Sequence, residues 1–145
     1  MFYGEHASKV DPEGRIVMPV SFRRRLGGEQ AGRSVLTRGL DGCLFLFPES
    51  EWRLVEMKFS PMAFTKPEGR AFNRMLFSGA EEVACDPSGR LPLPKALKEF
   101  AKIQRDVTVV GVSTRIEIWA KEKWQAFSEA VEPSLEAIAE RLVTE

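Results

Sequence analysis

Two five-residue stretches hold most of the chemistry this chain could do: Asp11-Pro12-Glu13-Gly14-Arg15 and Asp86-Pro87-Ser88-Gly89-Arg90, 75 positions apart. Proline after aspartate presets φ for the first central position of a turn, and glycine can supply the positive φ that a tight hairpin demands. The aspartate side chain can hold the backbone of the turn or the arginine itself. Each turn then ends in a planar guanidinium at a hairpin tip, a fork of donors that suits a phosphate or the edge of guanine. Turn geometry alone would select the same residues with nothing bound, so both readings stand at this point.

Other chemistry is poorly supplied. The single histidine, His6, has no nucleophile or metal-ligand partner at recognisable spacing and reads as structural. The sequence has no phosphate-cradling glycine loop, no H-x-x-x-H and no nucleophile elbow. Glu81-Glu82 and the C-terminal glutamates read as solvated charge. Cys43 and Cys85 each sit in an apolar run, which suits reduced, buried thiols better than a disulfide framework or a metal knuckle. We therefore expect no enzyme activity, no cofactor and no metal. No run approaches the ~18 apolar residues of a membrane span and no signal core follows Met1, so a cytoplasmic location without membrane attachment is expected.

Charge is balanced overall, with 21 basic and 21 acidic residues among 145, and any basic surface must be local or multiplied by oligomerisation. It is unevenly spread. Residues 1–38 carry seven Lys and Arg against four Asp and Glu, whereas residues 122–145 carry two against six. Arg23-Arg24-Arg25 follows the first turn closely, so one surface could hold Arg15 and at least two of the three; a solvated helix face is the plainer reading of such a run.

The elements that must position these residues occur twice. The match between the turns continues in register through Ile16-Val17-Met18-Pro19 and Leu91-Pro92-Leu93-Pro94. Gly39, Leu44, Leu46, Phe47 and Trp52 then match Gly111, Ile116, Ile118, Trp119 and Trp124 at an offset of 72, which places a three-residue insertion most naturally in 27–32. Each copy predicts a strand (Ala7 to Val10; Glu82 to Cys85), the turn, a short second strand, and a helix opened by Pro19 or Pro94 (Val20 to Leu26; Lys95 to Ile103). Gly27-Gly28 should stop the first helix. A hairpin follows, Ser34 to Thr37 with Cys43 to Phe47 and Val107 to Val112 with Arg115 to Trp119. Trp52, Val55 and Phe59, and likewise Trp124, Phe127 and Val131, then give each copy a closing helix with one apolar face. Outside the repeat lie a linking helix over Pro67 to Phe77 and an amphipathic terminal helix built on Leu135, Ile138, Ala139 and Leu142. The expected organisation is an α+β chain with a first repeat at 1–60, a linker helix in 61–80, a second repeat at 81–132 and a terminal helix at 133–145.

Several of these residues, in order and spacing, resemble the bacterial MraZ family. They are Met1-Phe2-x-Gly4, the twin D-x-x-G-R turns, Leu40-Asp41-Gly42-Cys43-Leu44 with Pro48 and Trp52, Phe77-Ser78-Gly79-Ala80, and Gly111-Val112-x-x-Arg115-Ile116-Glu117-Ile118-Trp119. The resemblance spans nearly the whole chain. It implies two pseudo-symmetric AbrB-like swapped-hairpin β-barrel repeats with flanking short helices, assembled into a homo-oligomeric ring. It also implies a transcriptional repressor of the division and cell-wall gene cluster, binding short G-rich direct repeats in double-stranded DNA upstream of its own operon, and hence nucleoid association. Rotationally related neighbours in a head-to-tail ring present the same turn in the same sense, which suits direct repeats.

On this reading Arg15 takes a base edge or a tightly placed phosphate, Asp11 fixes the turn, and Lys9, Arg23 and Arg24 meet backbone phosphates. Asp86 and Arg90 repeat the arrangement more weakly, because Pro92 removes a ladder donor and the second copy lacks an arginine triplet. The competing expectation is a ring-forming interaction scaffold that binds protein through the acidic terminal helix.

Overall fold

The computed structural model describes residues 1–26 and 33–144. The stop at Gly27-Gly28 and the insertion in 27–32 lie outside the described residues. Among the described residues eight strands form: β1 (Glu5–Lys9), β2 (Arg15–Val17), β3 (Ser34–Arg38), β4 (Leu44–Pro48), β5 (Glu81–Val83), β6 (Arg90–Pro92), β7 (Asp106–Val112) and β8 (Arg115–Ala120). They alternate with helices α1 (Val20–Arg25), α2 (Glu49–Phe59), α3 (Pro67–Ser78), α4 (Lys95–Phe100), α5 (Lys121–Val131) and α6 (Leu135–Thr144), so the chain is α+β.

The helix ends follow local chemistry. Pro19 and Pro94 stand just outside α1 and α4, with extended ψ near 142° and 143°, and lead into the helices at Val20 and Lys95 as the sequence suggests. The second of these helices stops short of Ile103. Lys102 adopts φ +55°, and the N–H groups of Lys102 and Ile103 return to the carbonyls of Glu99 and Lys98, the paired bonds of a Schellman ending.

Both expected hairpins are present, β3 with β4 and β7 with β8. The remaining strands are exchanged between the copies. β1 pairs with β7 of the second copy, β5 pairs with β3 of the first, and β2 and β6 pair with each other. The result is a six-stranded antiparallel sheet in the order β1-β7-β8-β4-β3-β5 and a separate two-stranded ribbon, and the sheet order reads the same from either edge once the copies are interchanged. Among the described residues no closed barrel forms, which corrects that part of the expectation: β1 and β5 remain edges. Both are short and carry Glu5, Lys9, Glu81 and Glu82, the kind of charged edge that resists further pairing.

One apolar cluster joins the copies. Ile16 faces Leu91 across the ribbon, both fully buried, and beneath them lie Met18, Phe22, Leu93 and Leu97 with Leu36, Leu44, Ile116 and Ile118 from the sheet. A second cluster sets Trp52 of α2 against Phe47 and Phe77, with Phe59 against Phe72 of α3. The linking helix is tied down where the Thr37 hydroxyl and Arg38 Nη1 donate to the carbonyls of Leu76 and Met75. In the second copy Trp124 and Phe127 pack on Trp119, but among the described residues no helix plays the part of α3 there, and no residue of α5 is fully buried. Nor does α6 find cover: Leu135, Leu142 and Val143 are exposed.

Candidate nucleic-acid interface

The two D-P-x-G-R turns close alike. The Gly14 N–H donates to the Asp11 carbonyl at 2.9 Å and the Gly89 N–H to the Asp86 carbonyl at 2.9 Å. Both glycines have positive φ, +81° and +83°, the conformation that the turn requires and a side chain resists. Asp11 Oδ1 accepts the N–H groups of Glu13 and Arg15, each at 2.9 Å. Asp86 Oδ1 accepts those of Ser88 and Arg90 and, at 2.6 Å, the Ser88 hydroxyl. The aspartates thus hold the turn backbone as the sequence suggests. Both carboxyls are pushed below the ordinary value of 3.8. For Asp11 the backbone N–H of Arg15 is the main cause, and for Asp86 the Ser88 hydroxyl is.

Pairing of β2 with β6 sets Arg15 opposite Pro92 and Val17 opposite Arg90, which brings the two turns onto one surface. Pro92 needs no ladder donor there, because a two-stranded ribbon is all edge. The arginines then cross. Arg15 Nε donates to Asp11 Oδ2 at 3.2 Å, its Nη1 to Asp86 Oδ2 at 3.0 Å, and its Nη2 lies 3.2 Å from Glu13 Oε2. Arg90 Nη1 donates to Asp11 Oδ2 at 3.2 Å. The picture of two separate tips with outstretched guanidinium groups is corrected accordingly. The tips form one ionic clasp of Asp11, Arg15, Asp86 and Arg90 with Glu13 at its rim, because the exchanged strands place each arginine within reach of the other turn's carboxylate. The arginine side chains stay partly open to solvent, at 30% and 37% exposure.

The surrounding cations are also crossed. Arg23 of α1 lies over Gly89 of the second turn and not over the first, and the paired turns put it on the same surface as Arg15. Lys98 of α4 takes the corresponding place over Gly14, its Nζ 3.2 Å from where a Cβ would stand. Backbone bonds fix this arrangement: the Met18 N–H donates to the Gly89 carbonyl and the Leu93 N–H to the Gly14 carbonyl, both at 2.9 Å. Lys9 is exposed at the end of β1, and Arg24 is exposed on α1. Among the described residues no acidic side chain pairs with Lys9, Arg23, Arg24 or Lys98. The structure therefore gathers Asp11, Arg15, Asp86, Arg90, Arg23 and Lys98 at the ribbon. Sequence reading had left Lys98 aside, although the offset of 75 that matches Gly14 to Gly89 also matches Arg23 to Lys98.

Elsewhere the chemistry is quieter. The His6 ring stands edge-on to Phe22 at 5.0 Å. Cys43 is buried and its thiol is pushed up to about 12 by that burial, while Cys85 is only partly buried, its thiol raised by burial against the opposing charge of Arg23. An open cleft of about 370 Å³, lined by Arg33, Trp52, Glu56, Phe77 and Glu82 among others, involves none of the turn residues. No helix among the described residues is long and apolar enough to cross a membrane.

The family model described as "MraZ protein, putative antitoxin-like" matches the chain twice, over residues 1–75 and 76–145. Two similar proteins carry the name "Transcriptional regulator MraZ". That of Pelotomaculum thermopropionicum is 45% identical over 143 residues, covering 99% of this chain and 96% of its own. That of Desulforamulus reducens is 46% identical over 143 residues, covering 99% and 98%.

Proposed function

The chain belongs to the MraZ family, and we propose that it is a sequence-specific DNA-binding repressor that reads double-stranded DNA with the face carrying the twin turns. The observation that carries this reading is the clasp with its flanking cations: two guanidinium groups fixed at the surface, bordered by Arg23 and Lys98, neither with an acidic partner among the described residues. Bracing by Asp11 and Asp86 holds Arg15 and Arg90 in place before DNA arrives, which lowers the side-chain entropy lost on binding. Each terminal guanidinium nitrogen carries two N–H groups, so a donor pointing at a carboxylate leaves a second for a phosphate or a guanine edge. Lys9, Arg23 and Arg24 then supply sequence-independent affinity through phosphates.

The finer reading follows the family resemblance. Two repeats, at 1–60 and 81–132 with a linker at 61–80 and a terminal helix at 133–145, act in a homo-oligomeric ring. Ring neighbours multiply a modest local charge and meet regularly spaced direct repeats upstream of the division and cell-wall genes. A chain with this role works in the cytoplasm at the nucleoid and needs no cofactor.

A second reading is favoured by α6, whose exposed Leu135, Leu142 and Val143 alternate with Glu136 and Glu140: a scaffold that docks protein there and touches nucleic acid only incidentally. Titrating the full chain against DNA from upstream of its own gene and a shuffled duplex of equal length, at one stated salt concentration, separates the two. Clear preference for the upstream DNA supports the repressor. Equal binding to both duplexes, or none, refutes it.

A further inference from the structure

We infer that each DNA-contacting unit is built across the repeats, from the turn of one copy and a cation of the other, so that Lys98 is a phosphate contact of the first turn and Arg23 of the second. The inference rests on the DNA reading above and adds to it a residue and a pairing. Three observations carry it. Lys98 stands over Gly14 and Arg23 over Gly89, positions related by the same 75-residue offset. The N–H groups of Leu93 and Met18, each shortly before the helix that carries the cation, bond the carbonyl of the glycine being covered, so helix and turn move as one body. Neither cation pairs with an acidic group among the described residues, whereas Arg15 already meets Asp11, Glu13 and Asp86. A phosphate reaching the first turn would therefore meet in Lys98 a positive charge that no carboxylate has neutralised.

The two units are not equal in kind. Lysine presents a compact charge with freely rotating donors, whereas arginine presents a flat fork. Arg23 Nε is buried without a hydrogen-bond partner, so that side chain is held against the second turn by packing, and its terminal nitrogens are the atoms left to reach DNA. The atom of Lys98 nearest to where a Gly14 Cβ would stand is Nζ, the end of a flexible chain.

Ethylation interference on the upstream duplex, with the full chain and the variants Arg15→Ala, Arg90→Ala, Lys98→Ala and Arg23→Gln, tests the pairing. Circular dichroism confirms that each variant is folded, and Arg23→Lys serves as a second probe of that position. The expected result is that Lys98→Ala erases interference at the phosphates beside those that Arg15→Ala erases, and Arg23→Gln beside those of Arg90→Ala. The slope of log affinity against log salt should become shallower by about one for each lost contact. Lys98→Ala grouping with Arg90→Ala, or leaving both footprint and slope unchanged while Arg15→Ala alters them, overturns the cross-repeat pairing and leaves the DNA reading standing. No change in any of the variants overturns the DNA reading and the pairing together.

Discussion

Asp11 and Asp86 occupy equivalent turns, yet they distribute their oxygens differently. Asp11 Oδ2 accepts both arginines while Oδ1 serves only backbone. Asp86 Oδ2 accepts Arg15 alone, and its Oδ1 takes a side-chain hydroxyl from Ser88 as well. Arg15 is correspondingly surrounded by three carboxylates and Arg90 faces one. Turn geometry is thus duplicated while electrostatics is not: the same backbone solution presents a heavily paired guanidinium in one copy and a lightly paired one in the other. The flanking charges differ as well: Lys9, two residues before the first turn, has Ala84 as its counterpart 75 residues on, while Arg24 on the helix that covers the second turn has Glu99 as its counterpart on the helix that covers the first.

The largest effect should show the copies to be alike. Ile16 and Leu91 face each other in one fully buried core, so Ile16→Ala and Leu91→Ala should each cost about 2–5 kcal/mol in urea unfolding. A mild loss for one beside a severe loss for the other would mean that the copies do not share a core.

Next in size come the turn glycines, where the copies should separate. Placing a side chain at positive φ costs about 1–2 kcal/mol at either position. Gly89→Ala should exceed Gly14→Ala, because its new methyl meets the Arg23 guanidinium, whereas at Gly14 the nearest atom is the movable end of Lys98. Adding Arg23→Ala should relieve the surplus at Gly89 and leave Gly14→Ala unchanged. Chemical unfolding of these single and double variants measures both.

Acid should sharpen the contrast in a smaller way. Both aspartates are held below 3.8 in the folded state, so their stabilisation is fully present above that value and is lost as pH falls through the lowered folded value. Ser88→Ala removes the main cause at Asp86 and should make the variant's disadvantage, measured as thermal midpoint against pH, vanish at the acid end. Asp11, whose depression comes first from the Arg15 backbone N–H, should titrate unchanged in that variant. The smallest effect is expected from Arg24→Ala, which should weaken upstream and shuffled DNA alike and flatten the salt slope by about one, in anisotropy titrations at several salt concentrations.

Much of the fold was readable because turn chemistry and apolar spacing are local. D-P-x-G located both hairpin tips, and Trp52-Val55-Phe59 and its partner stripe located the closing helices within a few residues. Strand exchange was not readable from residue spacing, and only the family resemblance implied swapped hairpins. β1 has the same alternation whether it meets its own copy or β7 of the other, and two nearly identical repeats offer nearly identical edges. The crossed ion pairs and the reach of Arg23 to the second turn follow from that exchange, so they were hidden with it. Which turn Arg23 covers was hidden for a related reason: sequence adjacency to the first turn is not spatial adjacency once α1 packs across the ribbon. The exposure of α6 was equally invisible, since an amphipathic pattern shows that a face is apolar without showing what covers it.

The proposed DNA-reading face is the pair of crossed turns. It is tested by anisotropy at fixed salt with the Arg15→Ala Arg90→Ala double variant, confirmed as folded, against upstream and shuffled duplexes. The expected result is that preference for the upstream duplex disappears while weak, salt-sensitive binding to both remains. A double variant that discriminates as well as the unmodified chain would contradict it.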